Sequence, residues 1–106
     1  MAWIWLLTAG LCEIAWAIGL KYADGFTRWR PTVWTVVLMI LSFFLLAKAM
    51  RTLPVGTAYA VWTGIGAAGT VVLGMILFDE PRDLARIVCL LLILTGIMGL
   101  KILSPE

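Results

Sequence analysis

Histidine is absent from this chain, and charged residues make up only 13% of it, against roughly 25% in an ordinary soluble domain. The two cysteines, Cys12 and Cys89, stand alone inside apolar runs with no metal-ligand spacing. Structural zinc and a disulfide framework are therefore poor readings, and each cysteine is most simply a small buried apolar residue. No metal and no cofactor is expected. A net charge of +2 supplies no basic surface of the kind that holds phosphates, which argues against a nucleic-acid partner.

What the chain has in abundance is apolar length. Of 106 residues, 63% are hydrophobic, and a membrane-crossing helix needs about 20 largely apolar residues. Four such helices consume most of the chain and leave room only for turns, so a separate soluble domain is excluded. The runs fall at about 2–20, 32–50, 55–78 and 84–103. Between them lie the breakers Asp24-Gly25 and Pro31, then Pro54, then Asp79-Glu80-Pro81. The expected fold is an all-α integral membrane protein, one domain over 1–106 with four transmembrane helices. The first run carries Ala15-Trp16-Ala17, which has the small-x-small look of a cleavage site. No Lys or Arg precedes it and Glu13 interrupts it, so it is read as a retained helix rather than a signal peptide.

Orientation is set by Lys and Arg in short loops. Lys21, Arg28, Arg30, Arg82 and Arg86 fall on one side of such a bundle, and Lys48, Arg51 and Lys101 on the other. The bias is small. It fits a weakly specified single orientation and insertion in both orientations about equally well.

Glu13 lies near the middle of a helix otherwise free of charge, where an ionisable group costs roughly 2.5–3.5 kcal/mol on insertion scales. Its helical neighbours Ala9, Gly10 and Ala17 are small and Trp16 is large, a face that leaves space around the carboxylate. A pore or transport role is favoured over a merely structural carboxyl. Four short helices enclose little, so a second subunit is expected to complete the site. A homodimer would bring two Glu13 side chains together as one coupled unit, for which protons and cations compete. Tyr59 and Trp62, three apart on the third helix, could wall a cation site with Trp16. Trp3, Trp5, Trp29 and Trp34 read as interfacial aromatics. Ser42 is a polar residue well inside the second helix; it either bonds back to its own helix or orients Glu13. Gly64-Ile65-Gly66-Ala67-Ala68-Gly69 matches a dinucleotide fingerprint literally, yet it lies inside an apolar run with no preceding strand. Gly10, Gly64 and Gly66 are read instead as sites of close helix packing or bending. Gly96 and Gly99 are expected at a helix or dimer contact.

The stretches Glu13-Ile14-Ala15-Trp16-Ala17-Ile18-Gly19-Leu20-Lys21-Tyr22, Gly25-Phe26-Thr27-Arg28, and Leu53-Pro54-Val55-Gly56-Thr57-Ala58-Tyr59-Ala60-Val61-Trp62-Thr63-Gly64-Ile65-Gly66 resemble the small multidrug resistance family. The likeness covers essentially the whole chain, and Trp16, Ser42 and Lys101 resemble its guanidinium-exporting branch. Ala23-Asp24 and Thr32 depart mildly from that branch, both in the first loop. The resemblance implies an antiparallel, dual-topology homodimer in the bacterial inner membrane, not an enzyme, exporting guanidinium and small substituted guanidinium ions against protons. It further implies that Glu13 is the shared proton and substrate ligand, that Trp16 and Ser42 bond and position it, and that Tyr59 and Trp62 line the site. Some members work as heteromeric pairs. The alternatives are an exporter of quaternary ammonium drugs and a non-transporting assembly or passive pore.

Overall fold

The structure is a computed structural model that describes residues 2–103. The chain forms α1 (Ala2–Ala23), α2 (Trp29–Ala49), α3 (Val55–Leu77) and α4 (Leu84–Leu103), and all four are long and apolar enough to cross a membrane. Two boundaries differ from the sequence expectation. Helix α1 continues through Lys21 and Tyr22 to Ala23, since a charged end residue keeps its head at the interface while its stem stays with the helix. Helix α2 begins at Trp29 rather than at 32, placing Pro31 third in the helix. There the missing N–H of proline has no intrahelical acceptor to lose.

The turns are short and tightly tied. In the first, Asp24, Gly25 and Phe26 all take left-handed backbone angles, and the N–H groups of Thr27 and Arg28 return to the Ala23 carbonyl. In the third, the Phe78 and Glu80 N–H groups both donate to the Gly74 carbonyl, and Arg82 Nη2 donates to the Met75 carbonyl at 2.7 Å. The Glu80 carboxylate lies directly over the Gly74 backbone, so any side chain at Gly74 would collide with it.

The helices form a layer rather than a square bundle. Its extents are 43 × 34 × 16 Å, and the order across it is α2, α1, α3, α4. Helix α1 packs against both α2 and α3, whereas α4 packs on α3. The main core is built from Leu6, Ala9, Leu46, Ala49, Ala58, Val61 and Trp62 with their neighbours. Helix α4 contributes little, with Leu90 its one buried residue among those described. Cys12 is partly buried, but Cys89 is exposed on α4, contrary to the expectation of burial; it lies off the strip of Leu90, Ile93 and Ile97 that packs on α3.

Lysines at one end of the layer lie over tryptophan rings. Lys48 sits 4.3 Å from the Trp5 ring centre and Lys101 4.8 Å from that of Trp3, a favourable cation–π arrangement.

Candidate functional site

Glu13 is seated on bare backbone. Its carboxyl group lies against Gly66 of α3 so closely that a methyl group there would overlap it. Helical spacing explains the seat: α1 presents Ala9, Gly10 and Glu13 on one face, and α3 presents Gly66 one turn after Trp62. Gly10 receives Ile65 and Gly69 receives Ile14, so the two helices approach through small residues on both sides of the carboxylate. Gly64 points elsewhere, against Ile93 and Ile97 of α4. The glycine-rich stretch therefore serves two neighbours, and α3 runs unbroken through it.

Among the described residues Glu13 Oε1 is buried without a hydrogen-bond partner, and so is the indole Nε1 of Trp16. One is an acceptor and the other a donor, a single turn apart on α1. Leaving such groups unsatisfied costs on the order of 1–3 kcal/mol each, and Trp3 Nε1 and Thr35 Oγ1 share that condition.

Ser42 does neither of the things its position suggested. Its hydroxyl donates across the helix interface to the Ala9 carbonyl at 2.7 Å and accepts from Trp62 Nε1 at 2.9 Å. A hydroxyl has one proton and an indole one N–H; both are spent, and a carboxylate can only accept. Ser42 and Trp62 therefore do not hydrogen-bond Glu13 here, and with Trp16 Nε1 also unpaired, the expected direct bonds from Trp16 and Ser42 to the carboxylate are replaced by a different arrangement. The chain Trp62–Ser42–Ala9 ties α3, α2 and α1 together at the turn that carries Glu13, because the Ala9 carbonyl lies one turn before it.

Aromatic rings flank this tie. Trp62 lies 5.6 Å from Tyr59 and 5.3 Å from Phe43, both tilted. Trp62 is buried, while Tyr59 and Phe43 are half exposed, so the cluster presents an aromatic surface outward from the protomer. Phe43 was not singled out from the sequence. Its place beside Ser42 was the available signal, but without the helix rotation it reads as one more apolar residue.

Comparison with known proteins agrees with this architecture. The sequence profile described as Small Multidrug Resistance protein matches residues 1–93. The chain is 62% identical over 104 residues to a protein named guanidinium exporter from Yersinia pseudotuberculosis, covering 98% of this chain and all of that one. Proteins of the same name from Citrobacter freundii and Proteus vulgaris are 58% identical over 102 residues and 53% over 104. They cover 96% and 98% of this chain, and 97% and 100% of their own lengths.

Proposed function

Since the chain belongs to the small multidrug resistance family, we propose that it is a proton-coupled antiporter that exports guanidinium and small substituted guanidinium ions from the bacterial cytoplasm across the inner membrane. The single observation that carries this is Glu13, a carboxylate seated on Gly66 with Oε1 buried and unpaired. The names of the relatives point to the same substrate.

Guanidinium is planar and offers paired N–H donors that match the two oxygens of a carboxylate. Its faces can lie against aromatic rings, which Trp16, Tyr59 and Trp62 supply. A tetraalkylammonium ion has no N–H donor and leaves the carboxylate and the indole N–H partly unsatisfied, a loss that discriminates strongly in polar sites. Protons and the cation occupy the same carboxylate, so each displaces the other. That exclusion is the coupling: a carboxylate that returns protonated has released its cation.

The site is completed by a second copy in antiparallel orientation. Support comes from the small imbalance of positive loop residues, from the half-exposed Tyr59 and Phe43 against the Trp62 ring, and from a fourth helix that covers almost nothing within its own protomer.

Flux measurements in proteoliposomes test the proposal. A proton gradient should drive guanidinium uphill with protons moving the other way, and tetrapropylammonium should move far more slowly. Equal rates for the two cations would favour a quaternary ammonium exporter. Guanidinium conduction without proton movement would make the protein a passive pore, and no flux of either kind would leave an assembly role.

A further inference from the structure

A second feature is assembled from three cavities in series along α1 and the α1–α2 turn. The first, about 270 Å³, lies at the α1–α2 turn and is lined by Thr27, Arg28, Trp29, Arg30 and Pro31. The second, about 450 Å³, shares Arg30 and Pro31 with it and continues along Tyr22, Ile18, Trp34 and Leu73. The third, about 560 Å³, shares Ala15 and Leu73 with the second and runs on past Ile14, Leu11 and Leu94. A groove with two guanidinium groups at its mouth thus leads into a largely apolar trough.

From these observations we propose that this groove binds one chain and the headgroup of an anionic glycerophospholipid of the surrounding bilayer. Three observations carry it. The trough runs beside α1 from Tyr22 to Leu11, about 16 Å of helix at 1.5 Å per residue, and half of a roughly 30 Å hydrocarbon core is about 15 Å. The trough therefore has the length of one leaflet. Its mouth has the matching charge: neither Arg28 nor Arg30 is ion-paired among the described residues, and Arg30 lies over the exposed Trp29 ring at 5.3 Å, in the belt where headgroups sit. Finally, the walls are fixed. Trp34 Nε1 donates to the Ala15 carbonyl at 3.1 Å, and Gly19 keeps the α1–α2 crossing close, since a Cβ there would lie 2.5 Å from Thr35 Oγ1 and 2.6 Å from Trp34. Basic pockets between membrane helices are a known mode of anionic headgroup recognition. The groove borders the cation site through Ile14 and Gly69 but contains neither Glu13 nor Trp16, Tyr59 or Trp62, so a loss of lipid retention can be read separately from cation binding.

The test is native mass spectrometry of the protein released from bilayers of equal phosphatidylglycerol and phosphatidylethanolamine. The wild type should retain phosphatidylglycerol by about 25-fold over phosphatidylethanolamine, the scale of two basic residues at an anionic surface at about fivefold each. Arg28→Gln combined with Arg30→Gln, both at exposed positions, should abolish that preference. Arg86→Gln, also exposed and paired with Asp83 at 3.0 Å, should leave it intact. A six-carbon-chain phosphatidylglycerol should be retained at least about tenfold less than the sixteen-carbon form, given the loss of buried methylenes. Equal retention of the two headgroups by the wild type, a preference that survives the double substitution of Arg28 and Arg30, or an equal drop in Arg86→Gln would overturn the proposal. So would effective competition by glycerol phosphate, which would make the mouth a simple anion site.

Discussion

Helices α1 and α4 are both long apolar segments that can cross a membrane, yet they are used in opposite ways. In α1, 28% of the membrane-spanning window is buried inside the protomer; in α4 Leu90 alone of the described residues is buried. Helix α1 carries the one acid found in any span and is gripped from two sides, by the Ser42–Ala9 bond and by Gly66 under Glu13. Helix α4 carries Gly96 and Gly99 with open space beside both and touches its own protomer mainly through Ile93, Ile97 and Leu90. Hydrophobicity brings a helix into the bilayer but does not tell it what to pack against, because lipid is as apolar as leucine. Polar atoms and small residues do that. Helices α1 to α3 are thus a folded unit built around a carboxylate, and α4 offers its surface to something beyond the protomer.

The strongest way to break this contrast is to remove what α1 is built around. Glu13→Gln should lower proton-driven guanidinium export by a hundredfold or more, on the order expected when the group made for the bound ion is lost. The protein should remain folded, because neutralising a buried charge relieves its insertion cost. Uphill export by this variant would show that another group couples the fluxes.

A glycine pair sharpens the comparison. Gly66→Ala drives a methyl group into the Glu13 carboxyl group, and displacing a ligand by about 1 Å can cost on the order of a hundredfold. Gly96→Ala meets nothing within the protomer, so its monomer fold should be unchanged and any loss should appear as weaker subunit association. Guanidinium affinity and crosslinking yield, measured on both variants, distinguish the two outcomes. Equal loss of affinity from both would mean that Gly66 has no special relation to Glu13.

Ser42→Ala removes two bonds and leaves the Ala9 carbonyl and Trp62 N–H without their partner. It should destabilise the protein by about 1–3 kcal/mol, seen as a lower thermal midpoint in detergent, with a smaller fall in affinity as the turn bearing Glu13 loosens. An unchanged midpoint would remove the tie from the account.

These expectations show where the sequence stopped being readable. Four spans, Glu13 as the outlier and the aromatic pair Tyr59 and Trp62 follow from apolar run length and helical spacing, both local properties. The partner of Ser42 does not, because Ala9 lies 33 positions away and meeting it depends on how two helices are rotated and crossed. Gly64 and Gly66 look alike in sequence and share one helix, but only the placement of α1 and α4 assigns them to different neighbours. Pro31 looks in sequence like part of the turn, yet the first turn of a helix accepts proline. The fold-back of Arg82 and Glu80 onto the end of α3 left no local signal beyond a turn.

The smallest expected effect concerns orientation. Adding two lysines beside Lys101 should favour one orientation, since the existing bias is five positive residues against three. Activity should fall severalfold and return when an oppositely biased copy is coexpressed. Full activity from a population of single orientation would contradict the antiparallel dimer.

The most direct test of the central claim, that one unpaired carboxylate serves both ions, is the affinity for guanidinium and for tetramethylammonium from about pH 6 to about pH 9, measured in one detergent by titration calorimetry. With proton and cation excluding each other, guanidinium affinity should weaken toward low pH, approaching about tenfold per pH unit for each proton displaced. Tetramethylammonium should bind at least about tenfold more weakly where the carboxylate is free. Guanidinium affinity that ignores pH, or equal affinity for the two cations, would contradict the assignment of Glu13 as the shared site.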